Sequence, residues 1–206
     1  EDRTFVRKST KKITFIGWAH CPNAMATSKT GSFWLTETLT MAATTDSASG
    51  TIDLGAYVDV GDQQALAVEQ VDVIWQVLDT ATDVINSGIG GAVVGNTAFD
   101  VQVTDLNPSG VIVRADDNTL IASGSMNLDD TNNVLSFGPD LYPDTFGKLD
   151  ESRMVVNDNL YCVATSSNAI AAAHSLLATV RIKARIVKLS TKDWMAIAIQ
   201  STAADN

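Results

Sequence analysis

The sequence predicts an all-β protein, an antiparallel sandwich of jelly-roll or similar type with a short C-terminal helix. Eight to ten short segments rich in β-branched and aromatic residues follow one another, separated by turn signals. The chain shows no regular alternation of strands and helices, which would indicate a parallel sheet. Its 206 residues suit a single sandwich, because folds of this kind often reach such a length as one unit.

We expect three parts: a basic N-terminal arm over residues 1–12, one sandwich domain over residues 13–190, and a short helix and tail over residues 191–206. A chain of this length buries about 70% of the surface that its unfolded form exposes, so neither a metal nor a disulfide is needed for folding. No apolar run approaches the roughly 20 residues that a transmembrane helix requires.

Most strands are predicted from short apolar runs between turns. They cover residues 13–19, 33–39, 51–60, 99–104, 111–114, 120–123, 134–137, 154–156, 160–164 and 176–189. Residues 65–79 are ambiguous, since positions 71, 74, 75 and 78 fit a helical face and positions 71, 73, 75 and 77 fit a strand face. The density of β-branched residues favours a strand there.

Several connections have clear turn chemistry. Residues 107–110 read Asn-Pro-Ser-Gly, and Gly61-Asp62 ends the strand predicted at 51–60. Residues 157–159 are predicted to be a hairpin loop between their flanking strands. Residues 84–96 contain four glycines and few charges, which indicates a flexible surface loop and not a dinucleotide-binding fingerprint.

The last strand and the helix have the most regular patterns. Arg181, Lys183 and Arg185 alternate with apolar residues, so a strand places the three cations on one face. Ser190 or Thr191 can then cap a helix that runs to position 199, with positions 194, 197 and 198 on its apolar stripe.

Ten of the fourteen basic residues lie near the two ends of the chain, whereas the 168 residues between hold four basic and twenty acidic residues, a net charge of −16. These basic residues have two interpretations. The first is one cationic face directed toward nucleic acid or an anionic membrane. The second is a solvated face whose charges are balanced by neighbouring acids. The candidate residues are Arg3, Arg7, Lys8, Lys11, Lys12, Arg181, Lys183, Arg185, Lys188 and Lys192.

The sequence offers no catalytic arrangement, and we expect the protein not to be an enzyme. His20 and His174 are its only histidines. Ser175 follows His174 directly, but adjacent residues of a strand face opposite ways. No Gly-x-Ser-x-Gly nucleophile elbow is present.

Metal and cofactor sites have weak signals, and no cofactor is expected. His20, Cys21, Cys162 and His174 lack the close pairing typical of zinc sites. A disulfide between the two cysteines is possible, although free thiols are favoured. Weak calcium candidates are Asp116, Asp117, Asp129 and Asp130, whose Asp/Asn-rich surroundings are more often found in turns.

Aromatic rings can stack on sugars, so the four tryptophans of the chain are candidates for carbohydrate binding. They are Trp18, Trp34, Trp75 and Trp194, and each lies in an apolar segment. Core packing is therefore the favoured interpretation for all four.

Two stretches carry a family resemblance. Residues 53–60, Asp-Leu-Gly-Ala-Tyr-Val-Asp-Val, with residues 64–76 resemble the early strands of single-jelly-roll viral capsid proteins. Residues 180–189 followed by Lys-Asp-Trp-Met resemble their last strand and closing segment. The resemblance is architectural and covers most of the chain without a diagnostic motif.

The resemblance implies a self-assembling subunit of an icosahedral shell, located in the virion, whose partners are copies of itself and other capsid proteins. Its cationic ends would face the genome or an internal membrane. The alternative is an extracellular β-sandwich binding module, either carbohydrate-binding or part of a surface layer or pilus, and it predicts exposed aromatic residues on one sheet face.

Overall fold

The computed structural model describes residues 26–42, 47–86, 89, 91–138 and 153–202. Within these residues the chain forms eleven strands and one helix. They are β1 (Ala26–Ser28), β2 (Phe33–Ala42), β3 (Ser47–Asp53), β4 (Gln64–Asp79), β5 (Val84–Asn86), β6 (Thr97–Thr104), β7 (Leu120–Asp129), β8 (Val134–Phe137), β9 (Arg153–Val155), β10 (Asn159–Ser166), β11 (His174–Leu189) and α1 (Thr191–Thr202). None of the helices in this part of the chain is long and apolar enough to cross a bilayer.

The strands form two sheets in which every described pairing is antiparallel. In the first sheet β11 lies between β4 and the edge strands β1 and β2, and β5 and β9 pair with opposite ends of β4. The second sheet has the order β3-β10-β6-β7-β8.

Apart from β6 and β7, which pair within the second sheet, the chain passes from one sheet to the other between its main strands, and this gives the orders β2-β11-β4-β9 and β3-β10-β6-β7. These are the strand orders of a jelly roll, in which two Greek keys fold into two facing sheets. The predicted fold class, a jelly-roll sandwich with a C-terminal helix, is confirmed.

The core lies between the two sheets and follows from strand alternation. Alternate residues of β11 from Leu176 to Ala184 are fully buried, and those between them face outward. Trp75 of β4 and Phe99 of β6 bring the sheets into contact, with ring centroids 5.8 Å apart. Each large apolar side chain buried in this way stabilises the fold by about 1.5–3 kcal/mol.

Strand β4 contains a bulge at Glu69. Lys183 pairs with Gln70 and Ala184 with Val68, so Glu69 has no residue opposite. Before the bulge Leu66 and Val68 face the core, and after it the core-facing positions are 71, 73, 75 and 77. The helical alternative for residues 65–79 came from Ile74 and Leu78, which are apolar but alternate with the core-facing positions and so lie on the outer face of the strand.

Helix α1 begins as predicted and covers one end of the first sheet. Ser190 Oγ accepts a hydrogen bond from Asp193 N (3.2 Å) and donates one to Asp193 Oδ2 (2.6 Å), which is a reciprocal cap. Trp194, Ile197 and Ala198 pack against the outer face of the sheet, where Val187 is buried. A second, smaller core therefore lies beneath the helix.

The strand predicted over residues 51–60 is wrong in its second half. Strand β3 ends at Asp53, whose Oδ1 accepts a hydrogen bond from Gly55 N (2.8 Å). Tyr57 N and Val58 N then both bond to Leu54 O, so the chain turns. Leu54 and Val58 are buried through this turn, which gives it an apolar composition like that of a strand.

Three other predicted connections differ. Residues 84–96 are not a plain surface loop, because they include β5 and the buried residues Ile89, Ala92 and Val93. Residues 111–114 form no strand, and residues 157–159 join different sheets instead of closing a hairpin. The strand predicted at residues 13–19 lies outside the described residues, and the division into three parts stays a prediction.

Candidate functional site

The five basic residues of the predicted N-terminal arm, all within residues 1–12, lie outside the described residues. The first described residues, Ala26–Ser28, form β1. Ala26 pairs with Leu189 and Thr27 with Lys188, at the end of β11 where α1 begins. The first described residues therefore lie beside the C-terminal basic stretch.

Arg181, Lys183 and Arg185 share the outer face of the first sheet, as predicted from their alternation. Glu69 on the neighbouring strand balances two of them, with its carboxylate 2.9 Å from Arg185 Nη1 and 3.9 Å from Lys183 Nζ. Ser32 Oγ also donates a hydrogen bond to this carboxylate (2.7 Å). This part of the face matches the interpretation of a surface balanced by neighbouring acids.

Arg181 has a different environment. Its guanidinium carbon lies 4.6 Å from the ring centroid of Trp34, a cation–π contact on the outer face of β2 and β11. Trp34 is 42% exposed, so its predicted place in the core is wrong. Its register opposite Lys183 puts it on the cationic side of the sheet.

The other tryptophans divide between the two cores and the undescribed part of the chain. Trp75 packs against the main core and Trp194 against the core beneath α1, in agreement with the prediction. Trp18 lies outside the described residues.

The rest of this outer face is rich in threonine. Residues 36, 38 and 40 of β2 are exposed threonines, and Thr38 Oγ1 lies 3.1 Å from Thr179 Oγ1 of β11. Ile74 of β4 is exposed beside them and is paired with Thr179. We name the part of this face around Trp34, Ile74, Arg181 and Lys183 the Arg181 face.

Lys188 and Lys192, the last two predicted cations, are exposed near the start of α1. A role for any of the ten basic residues in contacting genome or membrane stays a prediction. Arg181, Lys183 and Arg185 share the outer face of β11, whereas Lys188, three positions beyond Arg185, has the opposite orientation along the strand, and Lys192 lies in the first turn of α1.

A second surface was not singled out from the sequence. Strands β5 and β8 are short, lie at sheet edges, and have every residue exposed. Phe137 of β8 is 69% exposed, the highest value among the large apolar side chains of the described residues. In the sequence, this surface is indicated by the apolar run at residues 134–137, which lacks the polar alternation of an ordinary edge strand.

Both short strands lie at one corner of the sandwich. Strand β2 packs on β3 and β10, so β4 and β5 lie over the β7 and β8 side of the second sheet. Asp130 N donates a hydrogen bond to Asn96 Oδ1 (2.9 Å), which joins the β7–β8 turn to the connection that follows β5. We name the two hairpin ends, residues 79–86 and 129–137, the acidic corner.

The turns of these two hairpins are built alike. Asp79 Oδ1 accepts hydrogen bonds from Ala81 N and Thr82 N, and these bonds lower the pKa of Asp79 below its ordinary value. Asp129 accepts bonds from residues 131 and 132, and the pKa of its carboxyl is lowered chiefly by the Asn132 side chain. Both carboxylates therefore stay charged at neutral pH.

The calcium candidates have local partners. Asp129 caps its turn, and Asp117 Oδ1 accepts hydrogen bonds from Thr119 N and Oγ1, which lower the pKa of Asp117. Asp116 forms an exposed ion pair with Arg114 at 3.0 Å. Within the described ranges, no group of three or more His, Cys, Asp or Glu side chains is placed to hold a metal ion. Calcium binding at these positions stays a prediction.

The candidate catalytic residues are not assembled in the described structure. Ser175 is buried, whereas His174 before it is partly exposed. Cys162 is a free thiol inside the core, and burial, together with the charge of Glu37, raises its pKa to about 12. A thiol with that pKa is protonated at neutral pH and is a poor nucleophile. His20 and Cys21 lie outside the described residues.

Comparison with known proteins gives structural likenesses without sequence relatives. No protein-family model matches the chain, and no curated protein matches it. An unassembled VP1 pentamer of Washington University polyomavirus matches with 10% identity and a TM-score of 0.34, over 76% of this chain and 93% of VP1.

Two further solved structures are similar at the same level. VP1 of trichodysplasia spinulosa-associated polyomavirus, in complex with sialylated glycooligomers, matches with 9% identity and a TM-score of 0.35, over 77% of this chain and 94% of VP1. Desmodium yellow mottle tymovirus matches with 6% identity and a TM-score of 0.30, over 92% and 96%. These likenesses do not extend to function. The predicted resemblance to jelly-roll capsid proteins is confirmed as one of fold, on the strand order described above.

Proposed function

We propose that this chain is a capsid subunit that assembles with copies of itself into a closed shell. The observation that carries the proposal is the acidic corner, where two edge strands of a well-packed jelly roll expose apolar side chains. Soluble monomers usually protect such edges with charges, prolines or a covering segment. No Lys, Arg or Pro occurs in residues 84–86 or 134–137.

Copies of the same rigid body can bury these edges in repeated contacts. Closed symmetry then fixes the number of subunits, and an icosahedral shell is the arrangement we propose, with the protein located in the virion. The low content of charged residues, 18% of the chain, supports close packing between copies because fewer charges lose their hydration. The role is geometric, and we propose no enzymatic activity.

The basic N-terminal arm, with Lys188 and Lys192 at the end of the C-terminal stretch, is proposed to face the interior of the shell. The first described strand pairs with β11 beside Lys188, and we propose that the basic arm at residues 1–12 extends the surface of the C-terminal cations. A combined cationic surface of this kind neutralises phosphate without reading sequence, whether on nucleic acid or on an internal membrane. The balance of Lys183 and Arg185 by Glu69 leaves Lys188 and Lys192 as the better candidates of the C-terminal set.

Assembly of the purified full chain tests the proposal. Sedimentation velocity across a range of protein concentrations and ionic strengths, with negative-stain electron microscopy of the fast-sedimenting material, should show closed particles of uniform size. A chain that sediments as a monomer at every concentration and salt condition would overturn the proposal.

A second candidate function is a carbohydrate-binding module, and one observation favours it. Trp34 is exposed on the outer sheet face beside Thr36, and an exposed aromatic ring with a polar neighbour is what sugar stacking needs. Arg181 occupies one side of this ring, so a sugar would have to stack on the other. Binding to a glycan array that is lost in Trp34→Ala, from a protein that remains monomeric, would favour this function over the capsid role.

A further inference from the structure

The acidic corner has a marked charge as well as exposed apolar strands. Asp79, Asp83, Asp129 and Asp130 lie in its two turns, and residues 77–86 and 126–138 contain no Lys or Arg. Asp83 and Asp130 are exposed. The two hairpin ends of the corner therefore carry four carboxylates together with the exposed apolar side chains of residues 84, 85, 134, 135 and 137.

The Arg181 face has the opposite charge and exposed apolar side chains of its own. Three cations at 181, 183 and 185 outnumber the two acids on the neighbouring strand, Glu69 and Asp72, which leaves one net positive charge. Trp34 and Ile74 are both exposed there. Trp and Arg are the residue types that most often dominate the energy of protein interfaces.

Arg181 is suited to receive a carboxylate. The ring of Trp34 is its described contact, whereas Glu69 contacts Lys183 and Arg185. A guanidinium stacked on an aromatic face keeps its N–H edges available for a carboxylate. An approaching Asp side chain can therefore complete the environment of this residue.

The two surfaces occupy different places on the same molecule. The acidic corner lies at the end of the sandwich where β4 and β7 finish, on the edge beyond β4. The Arg181 face lies on the outer side of β2 and β11. Because the surfaces differ, contact between them is heterologous, and repetition of such a contact closes into a ring when the rotation allows.

We propose that the acidic corner of one subunit docks on the Arg181 face of a second copy of this chain. This inference rests on the proposed function and names the contact that joins neighbouring subunits. Asp130 and its neighbouring turn carboxylates lie against Arg181 and Lys183, while Phe137 and Leu135 cover Trp34 and Ile74. Opposite charges together with exposed apolar side chains fix the partner and the register of the contact.

Charge reversal tests the contact. Asp130→Lys and Arg181→Glu should each raise the protein concentration needed for half-maximal assembly by about tenfold or more. The double variant Asp130→Lys/Arg181→Glu should return that concentration to near its original value, because the reversed charges again attract. Circular dichroism and thermal unfolding of each variant verify that the sandwich is folded.

Matched controls separate the contact from general effects of charge and polarity. Arg114→Glu changes an exposed cation on the connection between β6 and β7, at the opposite end of the sandwich, and should leave assembly unchanged. Phe137→Ser should weaken assembly, whereas Val111→Ser, an equally exposed apolar site on that same connection, should not.

The outcomes distinguish this inference from the proposed function. If the original chain assembles and Arg181→Glu does not change that assembly, the proposed contact is wrong and the capsid role stands. The same holds if the double variant does not restore the assembly lost in the single variants. An original chain that stays monomeric would overturn both. Loss in each single variant and recovery in the double variant is the expected result.

Discussion

Arg185 Nη1 lies 2.9 Å from Glu69 Oε1, and this ion pair is formed at the bulge of β4. The register skips Glu69, which therefore lies beside the outward-facing cations of β11 without a residue opposite. The same carboxylate contacts Lys183 at 3.9 Å and accepts a hydrogen bond from Ser32. One acid thus organises the outer side of the first sheet where β1, β2, β4 and β11 come together.

Glu69→Gln should lower the free energy of unfolding by about 1 kcal/mol, because two partly exposed cations lose the charge that balances them. Urea unfolding at neutral pH should show a lower midpoint with an unchanged slope. Asp116→Asn is the matched control, since its ion pair with Arg114 is highly exposed and its removal should change stability by less than about 0.5 kcal/mol. Equal effects of the two substitutions would contradict this account of Glu69.

Gly50→Ala should destabilise the protein by about 1–3 kcal/mol, because the site has no room for a methyl group. An added Cβ would come within 2.9 Å of both Glu37 Cγ and Leu39 Cδ2 and closer still to Glu37 Oε1. Gly50 lies opposite Cys162 in the second sheet, so the crowding falls between the sheets.

Two further variants make the Gly50 prediction specific. Gly31→Ala, where an added Cβ would meet no atom within 4 Å, should change the thermal midpoint by little. In a Glu37→Ala background the cost of Gly50→Ala should fall, since the closest obstructing atoms are gone. A cost that is the same in both backgrounds would show that Glu37 is not the obstruction.

The sequence predicted elements whose signal is local. Residues 176–189 alternate apolar and polar side chains because β11 has one face in the core and one outside, and Ser190 could be identified as a helix cap from its own neighbourhood. The phase change in β4 was not visible, because a bulge depends on the pairing partner. The pattern intermediate between helix and strand has another cause, the apolar Ile74 and Leu78 on the outer face of β4.

The candidate site was harder to predict because it depends on which strands lie at the edges. The residues of β8 were predicted as a strand, but their exposure follows from the place of β8 beyond β7 at the edge of the second sheet. Trp34 is exposed for the same kind of reason, since the register of β2 against β11 puts it on the outer face. The apolar run at 134–137 is a local signal, but which strand lies beside it, or beside β2, depends on long-range pairing.

Because of Asp129, the free energy of unfolding should fall as the pH becomes acidic. Hydrogen bonds to its carboxylate lower its folded-state pKa below the ordinary value of 3.8. A lowered pKa means that the stabilisation is present above the unfolded-state value and is lost as pH falls through the folded-state pKa.

Substitution of Asp129 by Asn, a neutral side chain, tests this sign. The thermal midpoint of Asp129→Asn should lie below that of the original chain at about pH 6, and the difference should shrink toward about pH 2. Asp130→Asn is the control, because the described hydrogen bond of Asp130 in this turn is made by its backbone N–H. A difference at Asp129 that stays constant over this range would contradict a role for the ionised carboxylate.

Cys162 should report on the integrity of the core through its chemical reactivity. It is fully buried on β10 between the sheets, and its pKa is raised to about 12 by burial, with a further contribution from Glu37. Because the thiolate is the reactive form, the native thiol is protected both by exclusion of reagent and by its small ionised fraction near pH 8.

A Cys21→Ser variant leaves this thiol as the one cysteine of the chain. Its labelling by a disulfide reagent should be slow in the native protein and rise steeply through the urea transition, in step with circular dichroism. Rapid labelling without urea would mean that the two sheets separate readily around β10, and the packing described for the core would then be wrong.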